Sequence, residues 1–395
     1  MLPLDGMKVV AVEQYGAGPF GTMLLADLGA DVIKIENPLD AGDVGRQVGP
    51  FYFSEGDSHF YQAFNRNKRS MTLNLKHPEG RRIFHALVQE ADAVLDNLRG
   101  DLPEKLGITY EALKDVNPKI VCAHLSAYGR DGPRKTWPGY DYLMQAEAGY
   151  LRLTGEPNGP PARMGLSIVD MMAGLMAAFG LASGVIGARA RGVGMDVDTS
   201  LFDTALHNQT YLATWYLNGG YVQGRETRSA HPSLTPSQLY KTKDGWIFLM
   251  CNKEKFWPIL AAKLGRPEWA EDPRFNSFEN RLTHRDLLTE LLDGILSEQT
   301  TEAWMERLGG SIPASPVYDV AQALDSSFVR DRGNLASFTR DEGAPVEMLA
   351  SPLRISGQDL PTRAAPTLGS DTAELLGGLG FDAERIAELR RDGVV

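Results

Sequence analysis

Lys8–Glu36 reads KVVAVEQYGAGPFGTMLLADLGADVIKIE. Lys8–Glu13 is a short β-branched strand, Gly16–Leu28 a glycine-led turn and helix, and Ala30–Glu36 a second strand. Both strands are apolar almost throughout rather than alternating, the pattern of strands covered on two faces. Further along, Glu79–Glu90 is an amphipathic helix, Ala93–Asn97 (AVLDN) a third strand, Tyr110–Val116 a short helix and Ile120–Leu125 (IVCAHL) a fourth strand. The fold class that follows is α/β, a parallel sheet with helices on both faces.

From Met171 to Ala188 the chain carries no charge (MMAGLMAAFGLASGVIGA). A run of 18 residues reaches the lower limit of a membrane span. Gly174, Gly180, Gly184, Gly187 and the alanines make it only mildly apolar, so a buried helix packed through small residues is expected, and no membrane span. Val193–Ser200 is a strand leading into a helix from Leu201 to about Tyr216, and Gly219–Pro236 has the composition of a linker. A second unit begins with a hairpin, Gln238–Tyr240 and Trp246–Cys251 around Lys243-Asp244-Gly245. Helices then cover Lys253–Leu264, Asn280–Leu296 and Thr301–Leu308. From about Asp325 the chain is loop-rich, punctuated by Pro345, Pro352, Pro361 and Pro366, and it closes on helices Ser370–Leu379 and Asp382–Arg391.

By length the 395 residues make two or three domains with ample core. A hydrophobic share of 43% and a charged share of 23% fit an ordinary globular chain. The net charge of −11 argues against nucleic acid as a partner, while leaving room for an anionic ligand on a local basic patch. Two cysteines, Cys122 and Cys251, supply neither a disulfide framework nor a zinc spacing, and with no signal-peptide pattern in MLPLDGMKVVAVEQ a reducing cytoplasm is expected.

Several motifs bear on chemistry. Gly16-Ala17-Gly18-Pro19-Phe20-Gly21 is G-x-G-x-x-G after a strand and at the start of a helix, with Glu36 twenty residues past Gly16, which is the context of a dinucleotide-binding turn. A tight turn that simply needs glycines fits as well. Arg66, Lys68 and Arg69, then Lys76, Arg81 and Arg82, and separately Arg130, Arg134 and Lys135, could meet the phosphates of a nucleotide-like ligand or form a solvated charged face. No G-x-S-x-G, H-E-x-x-H or Walker lysine motif occurs, and the seven histidines show no close metal-ligand pair, so no metal site is expected. Asp170 stands at the mouth of the uncharged run. It reads either as an N-cap or as a nucleophile that the helix start keeps ionised and oriented.

The chain resembles the class III CoA-transferases, the CaiB/BaiF family that includes formyl-CoA and carnitine CoA-transferases, nearly end to end. The resemblance is carried by PLDGMKVVAVEQYGAGPFGTMLLADLGADVIKIE, NRNKRSMTLNLKHPEG, DNLRGDLPEKLGITYEAL and GYDYLMQAEAGYLRLTG. YKTKDGWIFL, WAEDPRFNSFENR, IPASPV and PTLGSDTAELLGGLGF continue it in order. It implies that Asp170 attacks an acyl-CoA thioester to give a mixed anhydride, then an aspartyl-CoA thioester, before an acceptor acid takes the CoA. It implies CoA contacts at Tyr15, Gly16, Ala17, Leu73, Lys76, Asn97, Leu98, Lys105 and Tyr140, with coenzyme A as substrate and no tightly bound cofactor. Lys105 and Asn37 depart from arginines that some members carry, and HPSLTPSQ stands where formyl-CoA transferase has a glycine loop.

The resemblance also implies a Rossmann-like large domain over 1–200 completed by about 330–395. A connection at 201–224, a smaller α/β domain at 225–325 and a loop-rich region 326–395 returning to the large domain complete that layout. An interlocked homodimer is expected. A racemase branch of the same fold uses a histidine where Tyr140 stands, and a phenol is a poor base at neutral pH, so transfer between acids is favoured over epimerisation. An NAD-dependent dehydrogenase and a non-catalytic CoA-binding module are the other readings. Arg163, Tyr142 and Arg225–Ser233 could meet a second carboxylate of a dicarboxylic acid.

Overall fold

In a computed structural model of the chain, which describes residues 1–340 and 343–395, the apolar strands read from the sequence assemble into one parallel sheet. Its strands are β1 (Lys8–Val12), β2 (Asp31–Glu36), β3 (Arg69–Thr72), β4 (Ala93–Asp96), β5 (Val121–Ser126) and β6 (Met195–Ser200). The order across the sheet is β3-β2-β1-β4-β5-β6, every pair parallel, with Val10 opposite both Ile33 and Val94. The chain therefore builds outward from β1 in one direction, returns, and builds outward in the other. Open sheets of this order leave a crevice at the carboxyl ends of the two strands where the direction changes, here β1 and β4.

One face is filled by Val10, Ile33, Met71 and Val94 against Ile83, Phe84 and Leu87 of the helix α2 (Pro78–Glu90). Leu376, Ile386 and Leu389, from helices at Thr372–Gly378 and Ala383–Arg391, complete this layer. The other face carries α1 (Ala17–Asp27), α3 (Asp141–Glu147), α4 (Ile168–Arg191) and α5 (Leu201–His207). By length and apolarity α4 could cross a membrane. Here it is a core helix, burying Val169, Ala173, Ala177, Leu181, Val185 and Ala188. Its glycines set the approach. A Cβ on Gly184 would lie 2.8 Å from Val121 Cγ1, one on Gly180 2.8 Å from Val197 Cγ1, and one on Gly174 2.2 Å from the Ala17 carbonyl oxygen.

Two compact units result: Met1–Ala148 with Met164–Thr210 and Arg330–Val395, and Gly149–Arg163 with Tyr211–Val329. The second holds an antiparallel sheet of Ala314–Pro316, Trp246–Met250 and Ser237–Lys241 over a core of Tyr240, Leu249, Trp257, Leu288 and Trp304. It takes in Gly149–Arg163 because the Arg225 guanidinium donates to the carbonyls of Pro157, Gly159 and Pro160.

The structure departs from the sequence reading in four places. The helix read from Leu201 to about Tyr216 is two, Leu201–His207 and Thr210–Gly219, broken before Thr210, whose φ is 24°. The Asn280–Leu296 helix is likewise two, Phe278–Thr283 and Arg285–Leu296. The edge strand β3 lies in a segment to which the sequence reading gave no strand. Arg66 and Lys68 from that segment are neither solvated nor free for phosphate. Arg66 is buried in a two-pronged pair with Asp27 at 2.9 and 2.7 Å, and Lys68 is buried 2.7 Å from Glu13 Oε1. Charges removed from water need such partners.

Candidate active site

A cavity of about 230 Å³ opens where β1 and β4 diverge. Tyr15, Gly16 and Ala17 line it from the turn after β1, Asn97, Leu98 and Arg99 from the turn after β4, and Ser126 and Ala127 from the end of β5. Trp137 and Tyr140, from the segment before α3, make an aromatic wall, and Asp170 enters from the first turn of α4.

Each wall has a local cause. The Asn97 side chain donates to the Gln14 carbonyl at 2.8 Å and accepts from the Gln14 amide at 2.8 Å, clasping the ends of β1 and β4 together. Gly18 has no Cβ because one would stand 2.9 Å from Asn97. The G-x-G-x-x-G glycines thus serve side-chain and helix packing: a Cβ on Gly21 would fall 2.4 Å from the Gly174 carbonyl oxygen, and one on Gly16 3.2 Å from Asp170 Oδ2. Glu36, the residue a dinucleotide ribose would need, is buried and already bound to Arg46 at 2.6 and 2.8 Å and to Ser70 Oγ at 2.6 Å. Tyr15 sits in the left-handed region at φ 67°, a strained state for a tyrosine. Its amide donates to Asp43 Oδ1 at 2.8 Å, and Lys34 pairs with the other Asp43 oxygen at 2.8 Å. The Tyr15 ring leans on Phe60 and Tyr140, with centroids 5.0 and 6.3 Å apart.

Asp170 is the third residue of α4, not its N-cap; Ser167 holds that position and makes no side-chain cap bond. The capping reading is therefore corrected. The first-turn amides of Val169 and Asp170 donate instead to Asp141 Oδ2, at 2.6 and 3.0 Å. Asp170 is 8% exposed. Burial first, and the neighbouring Asp141 charge second, push its carboxyl up to about 7. Withdrawal from water thus works on this carboxyl against the helix dipole.

Of the residues assigned to CoA by resemblance, Tyr15, Gly16, Ala17, Asn97, Leu98 and Tyr140 line the same cavity as Asp170. Leu73, Lys76 and Lys105 do not. The Leu73 side chain is packed into the core beneath the sheet. Lys76 is exposed. Lys105 is also exposed and pairs with Asp101 at 2.5 Å. Arg99, missed from sequence, is the charged lining residue besides Asp170, and its guanidinium is held by Asp101 at 2.5 and 3.0 Å. Arg130 and Arg134 are occupied as well, the first by Asp196 at 3.1 Å and by Asp198, the second by Glu147. His124 bridges Asp96 and Asp196 at 2.5 and 3.0 Å. Burial lowers its pKa, but those two bonds outweigh burial and bring it to about 9, so it is a structural cation rather than a base. Among the described residues no group of three His, Cys, Asp or Glu could hold a metal ion.

Asp141 and Gln145 were also missed. The available signal was an i, i+4 polar pair in a short helix ahead of an uncharged run, which reads more readily as a solvated face.

Comparison with known proteins accords with this geometry. Residues 4–372 match the model of CoA-transferase family III. An acetyl-CoA:oxalate CoA-transferase of Acetobacter aceti is 35% identical, over 94% of this chain and 95% of its own. A succinate–glutarate CoA-transferase of Agrobacterium fabrum is 30% identical, over 95% of this chain and 96% of its own. The crystal structure of a CaiB/BaiF family protein from Brucella suis superposes with a TM-score of 0.84 at 33% identity, covering 96% of this chain and 99% of that one. The chain belongs to the family III CoA-transferases.

Proposed function

We propose that the enzyme moves CoA from an acyl-CoA to a carboxylic acid through covalent intermediates on Asp170. The observation that carries this is a buried carboxylate facing a cavity at the sheet's switch point. Asp170 attacks the thioester carbonyl and the C–S bond breaks, leaving an acyl-aspartyl anhydride and a CoA thiolate. The thiolate attacks the aspartyl carbonyl and releases the first acid. The acceptor carboxylate attacks the aspartyl-CoA thioester, and the returning thiolate takes the acyl group from the new anhydride, which restores Asp170. Splitting one difficult exchange into such steps is the advantage of covalent catalysis. The first-turn amide of Ala17, which lines the cavity, lacks an intrahelical acceptor by helix geometry and can serve the oxyanions. The cavity suits the thioester end of the substrate, so the adenosine end lies outside it.

The relatives are named for oxalate and glutarate, and dicarboxylic acids are the first acceptors to try. The expected result with a panel of acyl-CoA donors and labelled acids is label exchange read by mass spectrometry, with saturable binding of CoA thioesters and none of NAD. Binding of CoA without exchange for any pair would leave only a CoA-binding module. The working form in this proposal is an interlocked homodimer, supported by the exposed row Leu175, Phe179 and Ile186 on α4. Sedimentation is expected at twice the chain mass of 43.3 kDa, and a single-chain mass at micromolar concentration would reject it.

A further inference from the structure

The backbone that carries the nucleophile is held by a carboxylate that the covalent steps do not use. Asp141 is 4% exposed. Its Oδ2 accepts from the Val169 and Asp170 amides at 2.6 and 3.0 Å, and its Oδ1 accepts from Gln145 Nε2 at 2.6 Å. Gln145, itself buried, also donates to the Leu166 carbonyl at 3.1 Å and accepts from the Met164 amide at 3.0 Å. One turn of α3 thus grips residues 164–170 at both ends. A serine or asparagine caps a helix as well as an aspartate does and brings no charge. A buried charge beside another of the same sign is costly, so its presence needs a reason beyond capping.

We infer that Asp141 is a positioning residue for Asp170: it fixes the backbone of the nucleophile and keeps a second negative charge buried beside it. The inference rests on the covalent role proposed for Asp170. From the elements around it Asp170 meets Asp141 at the start of α3, Tyr140 just before it, Tyr15 ahead of α1 and Arg99 after β4. Arg99 is committed to Asp101, and Asp141 is the charge that bears on Asp170. Two carboxylates in one buried site oppose each other's ionisation. The nucleophile is then more basic than an ordinary aspartate, and greater basicity goes with greater nucleophilicity toward a carbonyl once the proton has left. Binding of substrate in its reactive form is thereby coupled to loss of a proton from the site.

The test is the rate of forming the Asp170 adduct from acyl-CoA, trapped by hydroxylamine or borohydride and followed from pH 5 to 9. In wild type the rate should rise with a midpoint near 7. In D141N the midpoint should fall by about one unit, because one like charge is gone while burial remains. Its maximal rate should drop about 10- to 100-fold with CoA binding little changed, as expected for misplacement of the reacting group. In Q145A, which loosens the grip and leaves the charge, the rate should fall and the midpoint stay. D141E, which keeps the charge, should keep the midpoint. A D141N midpoint and rate equal to wild type, or equal shifts in D141N and Q145A, would overturn the positioning role while leaving covalent transfer intact. No adduct in wild type at any pH would overturn both. A reading that does not need D141N to fold comes from ¹³C NMR of carboxyl-labelled protein. The signal lost in D170N is that of Asp170, and it must keep its midpoint in D141E, where the neighbouring charge is retained; a fall there overturns the proposal.

Discussion

Asp170→Ala is expected to lower CoA exchange by on the order of 10⁴-fold or more, the scale seen when a covalent nucleophile is removed. The loss should fall on the chemical step, because the remaining cavity lining is intact and CoA thioesters should still bind. Stability separates this outcome from misfolding. Burial and the Asp141 charge raise the Asp170 carboxyl from its ordinary 3.8 to about 7 in the folded state. A group raised in this way contributes stability that is fully present below its unfolded pKa and is lost as pH rises through the folded one, here between about 4 and 7. Above pH 7 the ionised Asp170 is therefore a cost to the native state, and D170A should melt no lower than wild type at pH 8. Residual exchange above about a hundredth of wild type in well-folded D170A would remove the covalent role.

The second large effect concerns the fold. Gly174→Ala should destabilise by about 3 kcal/mol or more, at the upper end of overpacking costs, because the added carbon meets backbone rather than a movable side chain. It would lie 2.2 Å from the Ala17 carbonyl oxygen and 3.1 Å from the Gly21 amide nitrogen. The helical gain of alanine over glycine, about 1 kcal/mol, is too small to compensate. Gly187→Ala in the same helix is the internal control. There the added carbon meets only the mobile end of Arg191, at 2.9 Å, so the propensity gain should make the variant neutral or slightly stabilised. Urea melts of the two variants decide the matter, and equal midpoints would refute the packing account. Exchange activity should follow stability, because the contact that G174A disturbs joins the helix carrying Asp170 to the helix that begins at the cavity.

The strands β1, β2, β4 and β5 were legible because doubly covered strands are written as unbroken Val, Ile and Leu runs, a signal contained within each segment. The switch-point position of Tyr15–Ala17 and Asn97–Leu98 followed from that order together with the family resemblance. What could not be read depends on partners distant in the chain. Arg66 and Lys68 look like a ligand's cations until Asp27 and Glu13 are placed beside them. Gly149–Arg163 looks like part of the first unit until Arg225 reaches its carbonyls. Asp170 looks like a cap because the true cap, Asp141, lies in another helix. The edge strand Arg69–Thr72 failed for a different reason: four residues led by an arginine carry too little periodicity to register against their charge.

The two helices that complete one face of the parallel sheet, Thr372–Gly378 and Ala383–Arg391, come long after that sheet's last strand at Met195–Ser200. During synthesis this separation becomes time. At ordinary elongation rates the apolar surface of Ile33, Met71 and Val94 waits roughly ten to thirty seconds for its final cover. The second unit emerges from the ribosome within that interval. Vectorial translation thus completes the sequence of the later-encoded unit before that of the earlier-encoded one.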